Sequence, residues 1–589
     1  MTYRKDIDLL KGIAILAIVF FHLGLLDTGY LGVDVFFVIS GFLILPRICS
    51  ELTDGSFQYF PFIQKRLLRW MPLVVVASFV CMIVGFWGML PDSYENLAES
   101  VVASNVYAEN VLSAITAGSY WNISNDYKPL MHLWYLGVLF QFYLLCPLIL
   151  KGGLKLIKKP VWLMACLCGI SLLLYLLPID FEGNKFYYVH YRAFEILLGG
   201  IAGCLVRETK EEERPIGHII ALVGIILILV SSLLLQKHQA AGSQVIPIGM
   251  GGQRTISNSL AQGRPLYLLL TVTLTAFFLL KTAKSGNVAA SALAFVGKRS
   301  FSIYVWHQVI LAFYRYFFSK SVSVWFVLLF LLAVFIVSEL SYRFIEKKDK
   351  ANKRSFLLWV AASALITLVS FGIYLRAGVV RDVPELSISA KAAHRGMHSE
   401  YIDRSFQLDR EFPPENGKIN VLVEGMSFAR DFVNCLLESA WADSLNISYV
   451  YSWDDTYLDR IRQADVIFTF RGRDEVPAYV TENMSRQCQL WGIGTKNYGE
   501  CNGVFYRRRH SYDFKNTTVA IPVSYISLNN RWKKSWGDHY IDFIQMSEVS
   551  PGVVRVFTPE GKFISQDCEH FTPDGARWFA SRIPWPLIF

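Results

Sequence analysis

The sequence predicts an α-helical multi-pass membrane bundle of about eleven spans, followed by a soluble α/β domain. Three observations predict it. Of 589 residues, 53% are hydrophobic and only 18% are charged, against about 25% charged in a soluble domain. The apolar residues gather into windows of bilayer-crossing length, about 17–25 residues. Beyond residue 416 the pattern changes to short apolar runs alternating with helix-like segments, the signature of a parallel sheet. An aromatic content of 15% excludes a disordered chain. Ten thinly spread cysteines exclude a small disulfide scaffold.

The windows run near 7–26, 31–49, 71–90, 131–150, 160–178, 187–206, 216–235, 264–282, 300–317, 323–343 and 356–376. Those at 31–49, 131–150, 187–206 and 300–317 carry polar residues. No small-residue cleavage site follows the first window, so it reads as a span rather than a cleaved signal. Loop charges supply the orientation, because cytoplasmic loops are rich in Lys and Arg. With the N-terminus inside, 23 Lys and Arg fall at inner loops and 7 (Lys128, Lys185, Lys237, Arg254, Arg264, Arg315 and Lys320) at outer ones. The net charge of +9 therefore belongs to the positive-inside pattern, and no nucleic-acid partner is expected. An odd number of spans puts everything after about 377 outside, and lipid of the plasma (inner) membrane is the surrounding partner.

The expected organisation is a membrane domain over 1–350, an additional transmembrane helix over 351–376, a polar linker over 377–416 with Pro413 and Pro414, and an α/β domain over 417–589. Strands are expected at 419–423, 447–451, 466–470, 490–493 and 553–557, with a helix at 428–440. Six cysteines lie in or beside spans. Cys435, Cys488, Cys501 and Cys568 lie in the outer domain, where disulfides persist; Cys488 and Cys501 are the closest pair in sequence. No metal-ligand spacing occurs.

Ionisable residues within spans are costly and read as functional. His22 lies deep in the first span, with Lys11 nearer its cytoplasmic end. Imidazole serves as a general base near neutral pH; the plainer alternative is a histidine bonded to a neighbouring helix. Arg66 and Arg69 share a helix face at the cytoplasmic mouth of the third span, where two guanidinium groups suit a phosphate-rich ligand or only obey the positive-inside rule. Arg192 and Glu195 have the spacing to neutralise each other. His132, Trp134 and His307 fit packing or interface anchoring.

Seven ordered strings lie within about 1–350: "YRKDIDLLKGIAILAIVFFH", "GYLGVDVFFVISGFLI", "FIQKRLLRWMP", "PLMHLWYLGVLFQFY", "YRAFEILLGG", "GKRSFSIYVWHQ" and "ELSYRFIEK". Together they resemble the membrane acyltransferase-3 family. The resemblance implies acyl transfer from cytoplasmic acetyl-CoA to an extracytoplasmic glycan. It also implies His22 as the catalytic histidine and Arg66 and Arg69 as the family's Arg-x-x-Arg motif, with Lys11 standing where arginine is usual. The family's fourth span usually reads "HTWSLSVEEQFY"; here Leu139 and Phe140 replace its two carboxylates, and Asp34 or Glu195 is a candidate substitute.

In the outer domain, "KINVLVEGMSFARDF" reads as strand, Gly-containing turn and helix, with Ser427 at the helix N-terminus, where backbone N–H groups stabilise an oxyanion. Near the C-terminus, "SQDCEHFTPDGA" sets Asp567 and His570 in an Asp-x-x-His pattern, which lets the acid orient the base. Taken without any family, the same residues also fit a serine cap and a surface histidine. Serine early and Asp-x-x-His late resembles the SGNH hydrolase fold, over about 417–589. That resemblance implies Ser427 as nucleophile, His570 as base and Asp567 as orienting acid. Two blocks depart from the family. Met426 stands where Asp or Asn is usual, and Arg471-Gly472-Arg473-Asp474 replaces a Gly-x-Asn block; Asn497 is another polar candidate.

The expected function is O-acyl, by family default O-acetyl, transfer from acetyl-CoA to a surface polysaccharide or peptidoglycan. The competing classes are a transporter, which leaves the Ser427 and Asp567–His570 pattern unexplained, and a glycan-binding relic, which the residues at 139, 140, 426 and 473 would suit.

Overall fold

The computed structural model describes residues 3–116, 125–177, 186–208, 215–239, 258–280, 288–319, 322–347, 353–414, 417–499, 503–511 and 513–589. Its first part is helical: α1 (Lys5–His22), α2 (Gly32–Thr53), α3 (Tyr59–Gly88), α4 (Pro91–Asn105), α5 (Glu109–Thr116), α6 (Trp134–Gly153), α7 (Pro160–Leu176), α8 (Val189–Glu208), α9 (Pro215–Gln239), α10 (Asn258–Leu280), α11 (Val288–Gly297), α12 (Ser300–Phe317), α13 (Val324–Ser341) and α14 (Lys353–Tyr374). A helix stands at each of the eleven expected windows. Among the described residues, six segments are long and apolar enough to cross a membrane by length and composition: Asp27–Thr53, Tyr59–Gly88, Met131–Gly153, Val189–Arg207, Val324–Glu346 and Arg354–Tyr374. The helices α7, α9, α10 and α11 contribute shorter apolar stretches. Polar residues interrupt α1 (Asp6, Asp8, Lys11) and α12 (His307, Gln308, Arg315). Those residues are buried or half-buried, facing the protein.

Helix packing explains several small residues. A Cβ on Gly41 would lie 1.7 Å from the Ile196 carbonyl oxygen, and one on Gly199 would lie 2.0 Å from that of Val38. Glycine at both places lets α2 and α8 touch backbone to backbone. That contact brings Arg192 of α8 against Asp34 of α2 and leaves it 3.2 Å from Glu195. One buried arginine thus holds both carboxylates that the sequence offered as substitutes for the missing pair on α6.

After α14 the chain does not run as a bare connector. The segment expected as a linker carries α15 (Met397–Asp403) and two short 3-10 turns. Arg404 donates to Asn434 at 2.6 Å and to Glu438 at 2.9 Å, and Arg460 clasps Asp409 at 2.7 Å and Glu411 at 3.0 Å. The polar composition that suggested a linker is the ion-pair surface by which this strap lies on the following domain.

The C-terminal region holds β1 (Ile419–Glu424), α16 (Ser427–Leu437), β2 (Leu445–Val450), β3 (Val466–Thr469), β4 (Gln489–Ile493), β5 (Thr518–Ala520), β6 (Tyr540–Ile541), β7 (Glu548–Ser550) and β8 (Val553–Arg555). A parallel sheet runs β2-β1-β3-β4-β6. It accounts for the first four expected strands, whose near-continuous apolar runs reflect burial on both faces. The fifth expected strand is β8, which pairs antiparallel with β5 and β7 in a separate small sheet. The fifth parallel strand, β6, has two residues and no apolar run to announce it. In this doubly wound order, β1 and β3 flank the point where the winding reverses, and ligands bind there, beyond the carboxyl ends of the strands.

The two parts touch. Tyr316 lies near the end of α12: its hydroxyl accepts the Leu90 amide at 3.0 Å, and its ring packs on Gly503. Arg507 lies 4.2 Å over Phe318, and Leu90 joins an apolar cluster with Leu386, Phe557 and Phe563.

Candidate functional site

Ser427 opens α16 immediately after β1. The intervening turn needs glycine: Gly425 has φ +133°, and a Cβ there would meet Phe470 Cβ at 2.9 Å and Ala429 Cβ at 3.0 Å. The turn aims the first N–H groups of an eleven-residue helix into the β1/β3 crevice, where they favour a developing negative charge. Asp567 and His570 reach the same crevice. The Asp567 carboxylate accepts from His570 Nδ1 and from three further donors: the His570 amide at 2.8 Å, the Glu569 amide at 3.0 Å and the Ser565 hydroxyl at 3.1 Å. Burial opposes its charge, but the imidazole and these donors prevail, so its pKa lies below the usual carboxylate range. Burial likewise disfavours imidazolium, yet the Asp567 charge outweighs it and His570 is raised. The ring of Phe428, next to Ser427, stands 6.0 Å from the His570 ring. Ser427, His570 and Asp567 thus lie towards one end of the sheet.

The block after β3 differs from the expected asparagine-bearing pattern in an informative way. Arg471 donates through Nε at 3.0 Å and Nη2 at 2.8 Å to Glu424, whose other oxygen accepts from Thr469. Glu424 is the last residue of β1, fully buried, so Arg471 is fixed across the β1/β3 switch point. The Gly472 amide is committed to Glu475 at 3.0 Å, and Arg473 lies 5.5 Å over Trp536. Asn497, buried beyond β4, accepts from the Gly499 amide at 3.0 Å. Cys488 forms no disulfide among the described residues, and Cys501, its nearest cysteine in sequence, lies outside them.

In the helical part, His22 is the last residue of α1 and not a mid-helix residue. Its ring stands 5.1 Å from that of His307, which in turn stands 5.3 Å from His132. Carbonyls of Ile303 and Tyr304 face His307 Nδ1 at 3.1 and 2.7 Å. They assign the hydrogen to Nδ1 and leave the lone pair on Nε2. Arg315 stands at the edge of its apolar window, in the last turn of α12. It is buried on α12, donating to the His22 carbonyl at 2.7 Å and pairing with Asp126 at 2.8 Å. It clamps the end of α1. Among the described residues, no three His, Cys, Asp or Glu side chains form a metal-ligand set.

Arg66 and Arg69 sit within α3, which begins at Tyr59, so they ride on a helix that extends below the apolar window. Arg66 stacks 5.5 Å over Phe62, and its Nε is buried with no hydrogen-bond partner among the described residues. Lys11 pairs with Asp8 at 3.2 Å and lies within electrostatic reach of Arg69.

A model of an acyltransferase domain matches residues 4–343 of this chain. The chain belongs to this acyltransferase family. The peptidoglycan O-acetyltransferase OatA of Listeria monocytogenes is 29% identical over 365 residues, covering 59% of this chain and 56% of its own. The O-acetyltransferase OatA of Staphylococcus aureus is 27% identical over 362 residues, covering 58% and 57%. The chain thus spans less than three fifths of the length of these curated relatives. No solved structure matches it.

Within the acyltransferase, Leu139 is buried and Phe140 packs 4.7 Å from Tyr107, so apolar contacts occupy the places where the resemblance expects carboxylates. Sequence reasoning named His132 and His307 only as packing or interface-anchoring residues. Their ring contacts with His22 join three helical segments and have no signature in spacing. It passed over Asp431 and Lys496. Asp431 was within reach, four residues after Ser427 and hence on the same helix face; nothing near Lys496 announced a partner 65 residues away.

Proposed function

We propose that this acyltransferase moves an acyl group, by default acetyl, from cytoplasmic acyl-CoA to a hydroxyl of a cell-envelope glycan, peptidoglycan or polysaccharide. In this reading the eleven helices at the apolar windows span the plasma membrane, the N-terminus is cytoplasmic, and the C-terminal region is an SGNH-like domain outside. The observation that carries it is the pairing, in one chain, of half-buried His22 and the buried His132 and His307 beside it with a Ser427, His570 and Asp567 constellation at a sheet switch point.

Acyl-CoA supplies an activated thioester when bound. Arg66 and Arg69 fit its phosphates: the unpartnered Arg66 Nε is a donor in need of an acceptor, and Lys11 adds charge beside Arg69. His22 serves as the general base of the membrane half, with Arg315 holding its backbone and His307 beside its ring. Outside, His570 takes the proton of Ser427 Oγ as that oxygen attacks the acyl carbonyl and passes it to the leaving carrier as the acyl–carrier bond breaks, giving an acyl-serine and the free carrier. Asp567 stabilises the imidazolium. The amides at the start of α16 receive the oxyanion. A glycan hydroxyl then attacks the acyl-serine, losing its proton to His570, which returns one to Ser427 Oγ. Mass spectrometry of surface glycans from cells carrying Ser427→Ala or His22→Ala tests both halves. Loss of O-acyl groups in each is expected, and unchanged acylation with either variant overturns the role of that residue.

A further inference from the structure

Beneath the Ser427 crevice lies an ion pair with no exposure at all. Lys496 Nζ bonds Asp431 Oδ2 at 2.6 Å, and both side chains are 0% exposed. Asp431 is one turn beyond Ser427 on α16. Its Oδ2 also accepts the Phe571 amide at 3.2 Å, while Lys496 donates to the Glu569 carbonyl. Glu569 and Phe571 flank His570, so the pair grips the base from both sides along the backbone. The Lys496 ammonium is roofed by the rings of Phe428 at 3.7 Å and Phe571 at 4.6 Å, the same Phe428 that abuts His570.

Stability is a poor reason for such a pair, because desolvation of two charges commonly cancels their attraction. Asp431 Oδ1 is, in addition, buried with no hydrogen-bond partner among the described residues, which is a further cost. Placement is the better reason. The nucleophile helix and the base loop are separate in sequence, and this is the one buried charged link between them found among the described residues.

We propose that Lys496 and Asp431 are positioning residues for acyl transfer at Ser427, locking the His570 loop to the helix that carries the nucleophile and balancing the charge beneath the base. This rests on the reading of Ser427, His570 and Asp567 given above. The charged groups facing His570 are Asp567 on its own loop, Asp431 on α16, Lys496 after β4 and Asp92 on α4. Asp431 raises its proton affinity and Lys496 lowers it.

The test uses the full chain in lipid nanodiscs, with hydrolysis of 4-nitrophenyl acetate read against pH. Lys496→Met leaves Asp431 unbalanced, so the acid limb of the kcat profile moves to higher pH. The double variant Asp431→Asn with Lys496→Met removes both charges at similar volume. It is expected to return the limb towards its original place while kcat stays down by on the order of 10²-fold, the cost of a misplaced base, with KM little changed. Lys496→Arg keeps the charge and should keep the limb. A folded double variant with kcat within about twofold of the parent overturns the proposal. So does a double variant that cannot fold, which would make the pair a structural tie. Ser427→Ala separates the two readings: hydrolysis surviving in that variant overturns the site itself, whereas its loss beside unaffected Lys496 variants overturns only the positioning role.

Discussion

Replacing Asp567 by asparagine tests the proposed Ser427 site where its geometry is most specific. Asn Oδ1 can still accept from the His570 amide, the Glu569 amide and the Ser565 hydroxyl, which now lie 2.8, 3.0 and 3.1 Å from Asp567 Oδ1. The loop should therefore keep its shape. The change falls on the contact between Asp567 Oδ2 and His570 Nδ1. An amide NH2 there opposes a donor to a donor, so the imidazole moves its hydrogen to Nε2 and Nδ1 becomes the acceptor. A base with its hydrogen on Nε2 cannot take a proton from Ser427. In the serine-hydrolase template this tautomer error lowers kcat about 10⁴-fold, or about 5 kcal/mol of transition-state free energy. The fold loses much less. One hydrogen bond between charged groups contributes about 1.5–3 kcal/mol, and 11% and 30% exposure of the two side chains argues for the lower end. Hydrolysis of 4-nitrophenyl acetate by the full chain, with unfolding followed in parallel, separates these effects. A variant that retains more than about a tenth of the parent rate, with its acid limb unmoved, refutes the assignment of Asp567 and His570.

Four further expectations follow from the same geometry. His570 is raised in the folded chain, so its pairing stabilises fully below the unfolded histidine value of about 6.5 and is lost as pH rises through the folded value. Asp567 is depressed, so its contribution is present above about 3.9 and disappears on acidification; unfolding of parent and Asp567→Asn chains against pH should show the two windows. Gly425→Ala should cost about 1–3 kcal/mol, because its φ of +133° and the Phe470 and Ala429 contacts near 3 Å leave no room, measurable as a lowered unfolding midpoint. His22→Ala should abolish glycan acylation in cells yet leave 4-nitrophenyl acetate hydrolysis at Ser427 intact; loss of both would deny the division of labour. Replacing Arg66 and Arg69 by methionine should raise KM for acyl-CoA far more than it lowers hydrolysis at Ser427, and an unchanged KM removes them from the donor site.

What the sequence disclosed follows the range of each interaction. β1 and β3 were legible because a strand buried on both faces must be apolar throughout. β6 was not, since two residues between Asp538-His539 and Asp542 carry no period. The start of α3 was missed because Tyr59–Arg69 continues the helix with polar residues beyond the apolar window, and hydropathy registers lipid contact rather than helix. Asp567 and His570 are three residues apart, so spacing alone suggested their contact. Lys496 meets Asp431 only after two βα units have wound about the sheet. The partners of Arg315, Asp126 and the His22 carbonyl, come from distant segments of the chain, so spacing gives no sign of them.

The placement of α12 connects the two candidate sites. His307 lies beside His22, and nine residues later Tyr316 meets Leu90 and Gly503 where the C-terminal region docks. At 1.5 Å per residue that interval is about 13.5 Å, less than half the roughly 30 Å of a bilayer core. Arg315, one residue before Tyr316, binds the His22 carbonyl, so the end of α1 and the docking contact are fixed by adjacent side chains. Asp92, on the α4 turn that follows Leu90, lies within electrostatic reach of Asp567 and His570. A rigid helix therefore spans from the histidine cluster to the support of the serine site. In the proposed reading an acyl group released near His22 has only a short distance to cover, and the relation between the two candidate sites does not depend on a flexible tether: residues 377–414, expected as one, are themselves bonded to the domain they introduce.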